Sequence, residues 1–321
     1  MQIKMLRSRL RREFNISATT LLTYYGIMNV AVMVVMILDI IIIAIQQYSI
    51  QGPDFELTEE MIAKTASNGL GYFLAIAVGT LIMILWKKRQ FCFHEIWRSN
   101  NRMRFGSFWA ILCFFVSGQA FAQLYAVGVE WVLNQFGLSA MEAMEAASGM
   151  SESVTLFIYG AFLAPIFEEI LFRGLILRTL MRTGKKFAIF ASAYFFGMFH
   201  GNIIQTPFAF LVGLVLGYVA AEYSMWCAIL LHMINNLILG EVLPHVIEPL
   251  PVMGQEVIYA VINWGCAIAA VVIGIVKRKE IKKYLFEKRM QAICFKCFFT
   301  SPVVLTFSTL MLLNMILIFM L

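Results

Sequence analysis

The chain has 321 residues, 61% hydrophobic and 14% charged, with a formal net charge of +6 and a mean hydropathy of +0.80. A soluble domain sits nearer half apolar and a quarter charged. Here the excess comes in long blocks, so a soluble globular fold is excluded and an all-α, polytopic transmembrane bundle is expected.

Nine apolar blocks follow in chain order, at roughly 21–45, 69–86, 105–128, 153–177, 187–205, 208–221, 225–240, 257–276 and 298–321, on the rule that about 20 apolar residues span the hydrocarbon. The first is too long, and lacks the small-residue cleavage site, for a removable signal, so it reads as an anchoring helix. The sixth and seventh are short and must tilt or lie among other helices. The loops test this division. Five basic residues precede block one (Lys4, Arg7, Arg9, Arg11, Arg12). Six separate blocks two and three (Lys87, Lys88, Arg89, Arg98, Arg102, Arg104), and four follow block four (Arg178, Arg182, Lys185, Lys186). Eight follow block eight (Lys277, Arg278, Lys279, Lys282, Lys283, Lys288, Arg289, Lys296). In a nine-span arrangement 23 of the 25 Lys and Arg fall on one side, leaving Lys64 opposite and Arg173 inside block four. Basic loops are cytoplasmic, which predicts a cytoplasmic N-terminus and an external C-terminus. The opposite loops lean acidic, through Asp54, Glu56, Glu59, Glu60, Glu142, Glu145 and Glu248.

The same loops account for the positive charge through orientation and anionic lipid. No aromatic-basic platform for bases appears, and no nucleic-acid partner is expected. Cys92, Cys113, Cys227 and Cys266 read as apolar side chains. The pair in CFKC (Cys294, Cys297) has no second pair to complete a metal site. The Gly213–Gly217 spacing reads as close helix packing.

Ionisable groups inside lipid are rare and mark function. Asp39 in block one reads as structural. The stretch APIFEEILFR is denser, with Glu168, Glu169 and Arg173 in six residues. Residues four apart share a helix face while neighbours diverge by about 100°. Glu169 and Arg173 therefore stack and neutralise each other, and Glu168 points elsewhere as a free acid. Pro165 removes a backbone hydrogen bond just before them. In FFGMFHGN, Phe196 and His200 share a face; in LLHMINNL, His232 and Asn236 do. At ~1.5 Å per residue, Glu168, His200, His232 and Asn236 reach similar depths from three different blocks. A desolvated carboxylate suits a general base, so Glu168, assisted by His200, is expected to activate water. His232 and Asn236 carry donors for the oxyanion formed when water attacks a carbonyl. Glu169 and Arg173 are expected to support that site.

The order Glu-Glu-x-x-x-Arg (168–173), Phe-x-x-x-His (196–200) and His-x-x-x-Asn (232–236), with the stretch VGLVLGYVAAEYSMWCAILLHMINN, resembles the CPBP family of intramembrane proteases. That family includes the CAAX prenyl endopeptidases of the Rce1 type and the bacterial Abi proteins linked to bacteriocin self-immunity. The resemblance covers about residues 155–240. It implies Glu168 as the base with His200 assisting, His232 and Asn236 at the oxyanion, Glu169 and Arg173 as the supporting pair, and Phe196 as packing.

The expected activity is therefore cleavage of a peptide bond in a membrane-associated or lipid-modified peptide or protein, with no cofactor. There is no HExxH, and a zinc ion held by glutamate and histidines from separate helices is the alternative chemistry. A non-catalytic immunity or partner-binding protein is the alternative function. A proton-coupled transporter is a third, although no internal repeat accompanies it. The expected organisation is N-terminal helices with a basic tail over 1–150, a catalytic core over 151–245 and C-terminal helices over 246–321. The expected setting is a multi-pass protein of a bacterial cell membrane, in contact with lipid and a peptide substrate. No motif sets an oligomeric state.

Overall fold

A computed structural model describes residues 2–52, 55–66, 68–86, 94–148, 151, 153–286 and 292–317. Asp54, Lys87, Lys88, Arg89, Cys92, Lys288 and Arg289, counted above, lie outside them, as do the side chains of Glu60, Lys64 and Glu142. The described residues contain helices and no strand.

In chain order the helices are α1 (Gln2–Gln51), α2 (Glu59–Ala66), α3 (Leu70–Trp86), α4 (Phe105–Asn134) and α5 (Met141–Ser148). The continuous helix α6 (Val154–Thr183) follows, then α7 (Lys185–Phe199) and α8 (Gln205–Glu222). Next come α9 (Met225–Ile247), α10 (Val252–Val276), α11 (Arg278–Phe286), α12 (Ala292–Phe299) and α13 (Pro302–Leu317). Each of the nine apolar blocks is mostly helical over its described residues. Among the described residues six helices (α1, α4, α6, α8, α9 and α10) are long and apolar enough to cross a membrane, or seven if the pair α12–α13, bent by 63°, counts as one, against the nine spans expected. Exposed side chains such as Ile37, Leu38, Ile41 and Ile42 on α1, and Val257, Val261 and Ile268 on α10, leave apolar faces that suit lipid and not water.

Two blocks differ from the sequence reading. The helix over block one begins 19 residues earlier, because its basic end also carries a buried stripe: Leu10, Phe14, Ala18 and Leu21. Phe14 lies 5.3 Å from the rings of both Phe187 and Phe298. Charge therefore marked this segment as a tail, while its apolar face makes it part of the core. Block five ends early. Helix α7 has 15 residues, about 22 Å at 1.5 Å each, and stops at His200. Gly201 then takes a positive φ of 59°, which suits glycine. The side-chain oxygen of Asn202 accepts from Ile204 N and Gln205 N at 2.9 and 3.1 Å to open α8.

Asp39 does what was expected of it. Its Oδ2 accepts from Asn68 Nδ2 at 2.5 Å, and the next amide, Gly69 N–H, donates to Thr155 Oγ1 at 2.9 Å. The turn before α3 is thereby tied to both α1 and the start of α6.

The tightest pairing is α7 against α8, and glycine allows it. A Cβ on Gly213 would meet Ala193 Cα and Phe196 Cδ1 at 3.1 Å, and one on Gly217 would meet Ile189 Cγ2 at 3.1 Å, as the small-residue spacing predicted. A Cβ on Gly197 would sit 2.8 Å from the backbone oxygen of Thr206. Gly197→Val is therefore expected to cost about 1–3 kcal/mol by overpacking, read as a lowered thermal midpoint in detergent. Gly265→Ala, where nothing lies within 4 Å, is expected to leave the midpoint unchanged or raise it.

Candidate active site

The site is built where α6, α7 and α9 meet. Ser153 caps α6, its hydroxyl accepting from Leu156 N at 3.2 Å, and Ser224 caps α9 by accepting from Cys227 N at 3.2 Å. The two helices run antiparallel. Glu241 takes the hydroxyl and amide of Ser151, Asn236 meets Gly160, and His232 meets Glu169. Both helices carry wide π turns, at Tyr159–Leu163 and Ile170–Leu177 on α6 and Ile234–Val242 on α9. Such turns recur at functional sites because they re-aim side chains without ending the helix. Glu168 and Glu169 occupy the short α-helical stretch Ala164–Glu169 between two of them. Pro165, with no N–H to give, falls where the ladder is already interrupted.

The two glutamates part as helix geometry requires. Glu169 and Arg173 are both 0% exposed, with Arg173 Nη1 3.0 Å from Glu169 Oε1. Glu168 keeps its side chain 27% exposed. Arg173 is held from three directions. Its Nη2 reaches the Gly213 carbonyl at 3.4 Å, its guanidinium lies 4.2 Å from the Phe196 ring centre, and Glu169 takes its charge. Phe196 is thus more than packing: its ring face meets a desolvated cation, a contact worth ~2 kcal/mol in such a setting. The Ser192 hydroxyl, one turn before Phe196, donates to the Phe172 carbonyl at 2.8 Å and ties α7 to the second π turn.

His232 stands between the acids. Its Nδ1 lies 3.0 Å from Glu169 Oε1, and an ionised carboxylate only accepts, so this nitrogen carries the proton. Its Nε2 faces Glu168 Oε2 at 3.8 Å. Glu169 therefore serves His232 as well as Arg173, a link that sequence spacing could not supply because it joins residues 63 apart. His200 caps α7, and its Nδ1 donates to the Phe196 carbonyl at 2.8 Å, which leaves Nε2 as the acceptor. Its ring centre is 4.8 Å from that of Phe196, and His232 approaches the same ring at 5.7 Å. Glu168 lies within electrostatic range of His200.

Asn236 sits one turn along α9. Its Nδ2 donates to the Gly160 carbonyl at 3.0 Å, which uses one of its two hydrogens. Asn235 Nδ2 donates to Asn236 Oδ1 at 3.0 Å, and Gln119 Nε2 on α4 donates to Asn235 Oδ1 at 3.0 Å. Gln119 was missed in the sequence. An amide inside an apolar block is the signal that Asp39 gave, in a weaker, uncharged form. Tyr24 and Tyr159, both within electrostatic range of Glu168, were missed for the same reason, since tyrosine passes as apolar.

A zinc site would draw on Glu168, His200 and His232. Among the described residues no three His, Cys, Asp or Glu side chains gather closely enough to hold a metal ion, so no step below is derived through one. Cys294 and Cys297 are buried in α12.

Removing one partner of a buried ion pair leaves the other uncompensated, at a cost of about 3–5 kcal/mol. Arg173→Met is expected to lower the thermal midpoint strongly, and Glu169→Gln added to it should recover part of the loss. A double variant no more stable than Arg173→Met alone would contradict this pairing.

Residues 150–238 match the family model described as type II CAAX prenyl endopeptidase Rce1-like. Searches of curated proteins and of solved structures find no match to the chain. The matched segment contains Glu168, Glu169, Arg173, Phe196, His200, His232 and Asn236. Over this segment, residues 150–238 of the 321, the chain is similar to the CPBP/CAAX intramembrane proteases.

Proposed function

We propose that this integral membrane protein is an endopeptidase, which hydrolyses a peptide bond with a water molecule activated by Glu168. The observation that carries the reading is the pairing of unequal acids. Glu169 is sealed and charge-balanced, while Glu168, one residue away, is partly open and faces His232 Nε2 at 3.8 Å. At that distance the two groups make no direct hydrogen bond to each other, which leaves both able to bond a water.

Glu168 accepts a proton from the water, and the oxygen adds to the carbonyl carbon of the scissile bond. His200, whose Nε2 is the free acceptor, helps to hold that water. The oxyanion is met by the second N–H of Asn236 and, with the ring protonated on both nitrogens, by Nε2–H of His232, whose orientation Glu169 fixes. Protonated Glu168 then passes its proton to the departing amine as the C–N bond breaks. General-base steps of this kind contribute about 10²–10⁴-fold, and an oxyanion donor about 10²–10³-fold. The substrate is a peptide or protein segment held at the membrane.

Glu168→Gln is expected to reduce cleavage at least about a hundredfold with an unchanged thermal midpoint. Wild-type rates from a variant of the same purity would refute the base assignment and favour a partner-binding role. Cleavage is expected to persist after exhaustive chelation, assayed on detergent-solubilised protein. Loss of activity restored only by added zinc would instead establish a metal mechanism.

A further inference from the structure

A cavity of about 210 Å³ lies between α1, α3 and α6, walled by residues that include Thr23, Tyr24 and Ile27, Gly79, and Phe167 and Leu171. Glu168 is not in the wall, but the residues on either side of it along α6, Phe167 and Ile170, are. Tyr24 joins the cavity to the site. Its ring rests on Gly79, where a Cβ would fall 2.4 Å from Tyr24 Cε2. The same ring lies 6.2 Å from that of Phe199, the residue before His200, and Tyr24 is within electrostatic range of Glu168.

We infer that this cavity is a specificity subsite, which takes a bulky apolar side chain of the peptide next to the scissile bond. The inference rests on the hydrolase reading above. Size is the first argument. At ~30 Å³ per water the cavity equals about seven waters, and it falls below the ~300–1,000 Å³ of pockets that enclose a whole ligand. It holds a side chain, not a lipid. Wall chemistry is the second. The α6 side is hydrocarbon, but α1 contributes the hydroxyls of Thr19, Thr20, Thr23 and Tyr24. Thr20 Oγ1 donates to the Ile16 carbonyl at 2.8 Å, while Thr19 and Thr23 are exposed. An acyl chain requires no hydroxyls; an extended peptide in lipid must have its backbone groups hydrogen-bonded, and exposed threonines beside an apolar hole serve that need. The walls on α1 and α3 lie outside residues 150–238, so selectivity here belongs to the part of the chain that the family match does not reach.

The test uses a library of quenched fluorogenic peptides varying Leu, Phe and Ala at each position, with full-length protein in phosphatidylglycerol nanodiscs. At one position wild type should prefer Leu or Phe to Ala. Thr23→Trp, which fills the hole, should lower that preference in kcat/KM by about tenfold or more, the scale on which apolar pockets discriminate. Gly79→Ala, which drives the Tyr24 ring into the cavity, should lower it in the same direction. An unmoved ratio in both variants overturns the subsite, and a phospholipid that co-purifies with wild type but not with Thr23→Trp would then identify a lipid tail as the occupant. The same peptides are titrated against Glu168→Gln protein by fluorescence anisotropy. Tighter binding of the Leu peptide, lost in the Thr23→Trp/Glu168→Gln double variant, upholds the subsite even if wild type cleaves nothing, a result that would strike only the hydrolase reading. Equal binding of Leu and Ala peptides strikes the subsite.

Discussion

The carboxylate of Glu169 is the constraint on which the rest of the site depends. It lies fully buried with Arg173 on one oxygen and His232 Nδ1 on the same oxygen. An arginine in mid-membrane costs roughly 2.5–3.5 kcal/mol on insertion scales. The ion pair, the Phe196 ring and the Gly213 carbonyl together offset that cost. Because the charge balance is local and complete, α6 can keep three ionisable groups in six residues, and Glu168 is left without a cation of its own. Glu169 thus does two things at once: it neutralises the arginine and sets the rotation of His232.

The packing explains why this arrangement stays in place. Gly213 lets Phe196 come down onto Arg173 with no side chain in between, and Ser192 ties α7 to α6 through the Phe172 carbonyl. The π turns set the phase of the polar residues along α6 and α9, so that His232 meets Glu169 and Asn236 meets Gly160 in the same antiparallel contact. Gln119 extends this polar seam to α4 through Asn235.

The helices outside the matched segment also bear on the site. Helix α1 contributes Tyr24 to the cavity wall against Phe167 and Leu171 and anchors its basic end in the core through Phe14. Asp39, read as a structural charge, fixes the turn that docks α3 onto α6. The face of α6 next to the acids is therefore bounded by elements far away in sequence.

Much of this was legible in residue order. Apolar blocks of sufficient length mark helices because lipid leaves backbone groups no partner but the helix itself, and each of the nine blocks is mostly helical over its described residues. The stacking of Glu169 on Arg173, the divergence of Glu168, and the shared faces of Phe196 with His200 and of His232 with Asn236 follow from 3.6 residues per turn. Periodicity is a local property, however, and it ends where contacts between helices begin. The bond from His232 to Glu169, the seam from Gln119 to Asn236, the placement of Tyr24, the early end of α7 at Gly201 and the burial of the basic start of α1 each join or depend on segments far apart in the chain. Only packing in three dimensions decides such contacts, because they depend on the rotation and depth of each helix against its neighbours, which no single helix's sequence specifies.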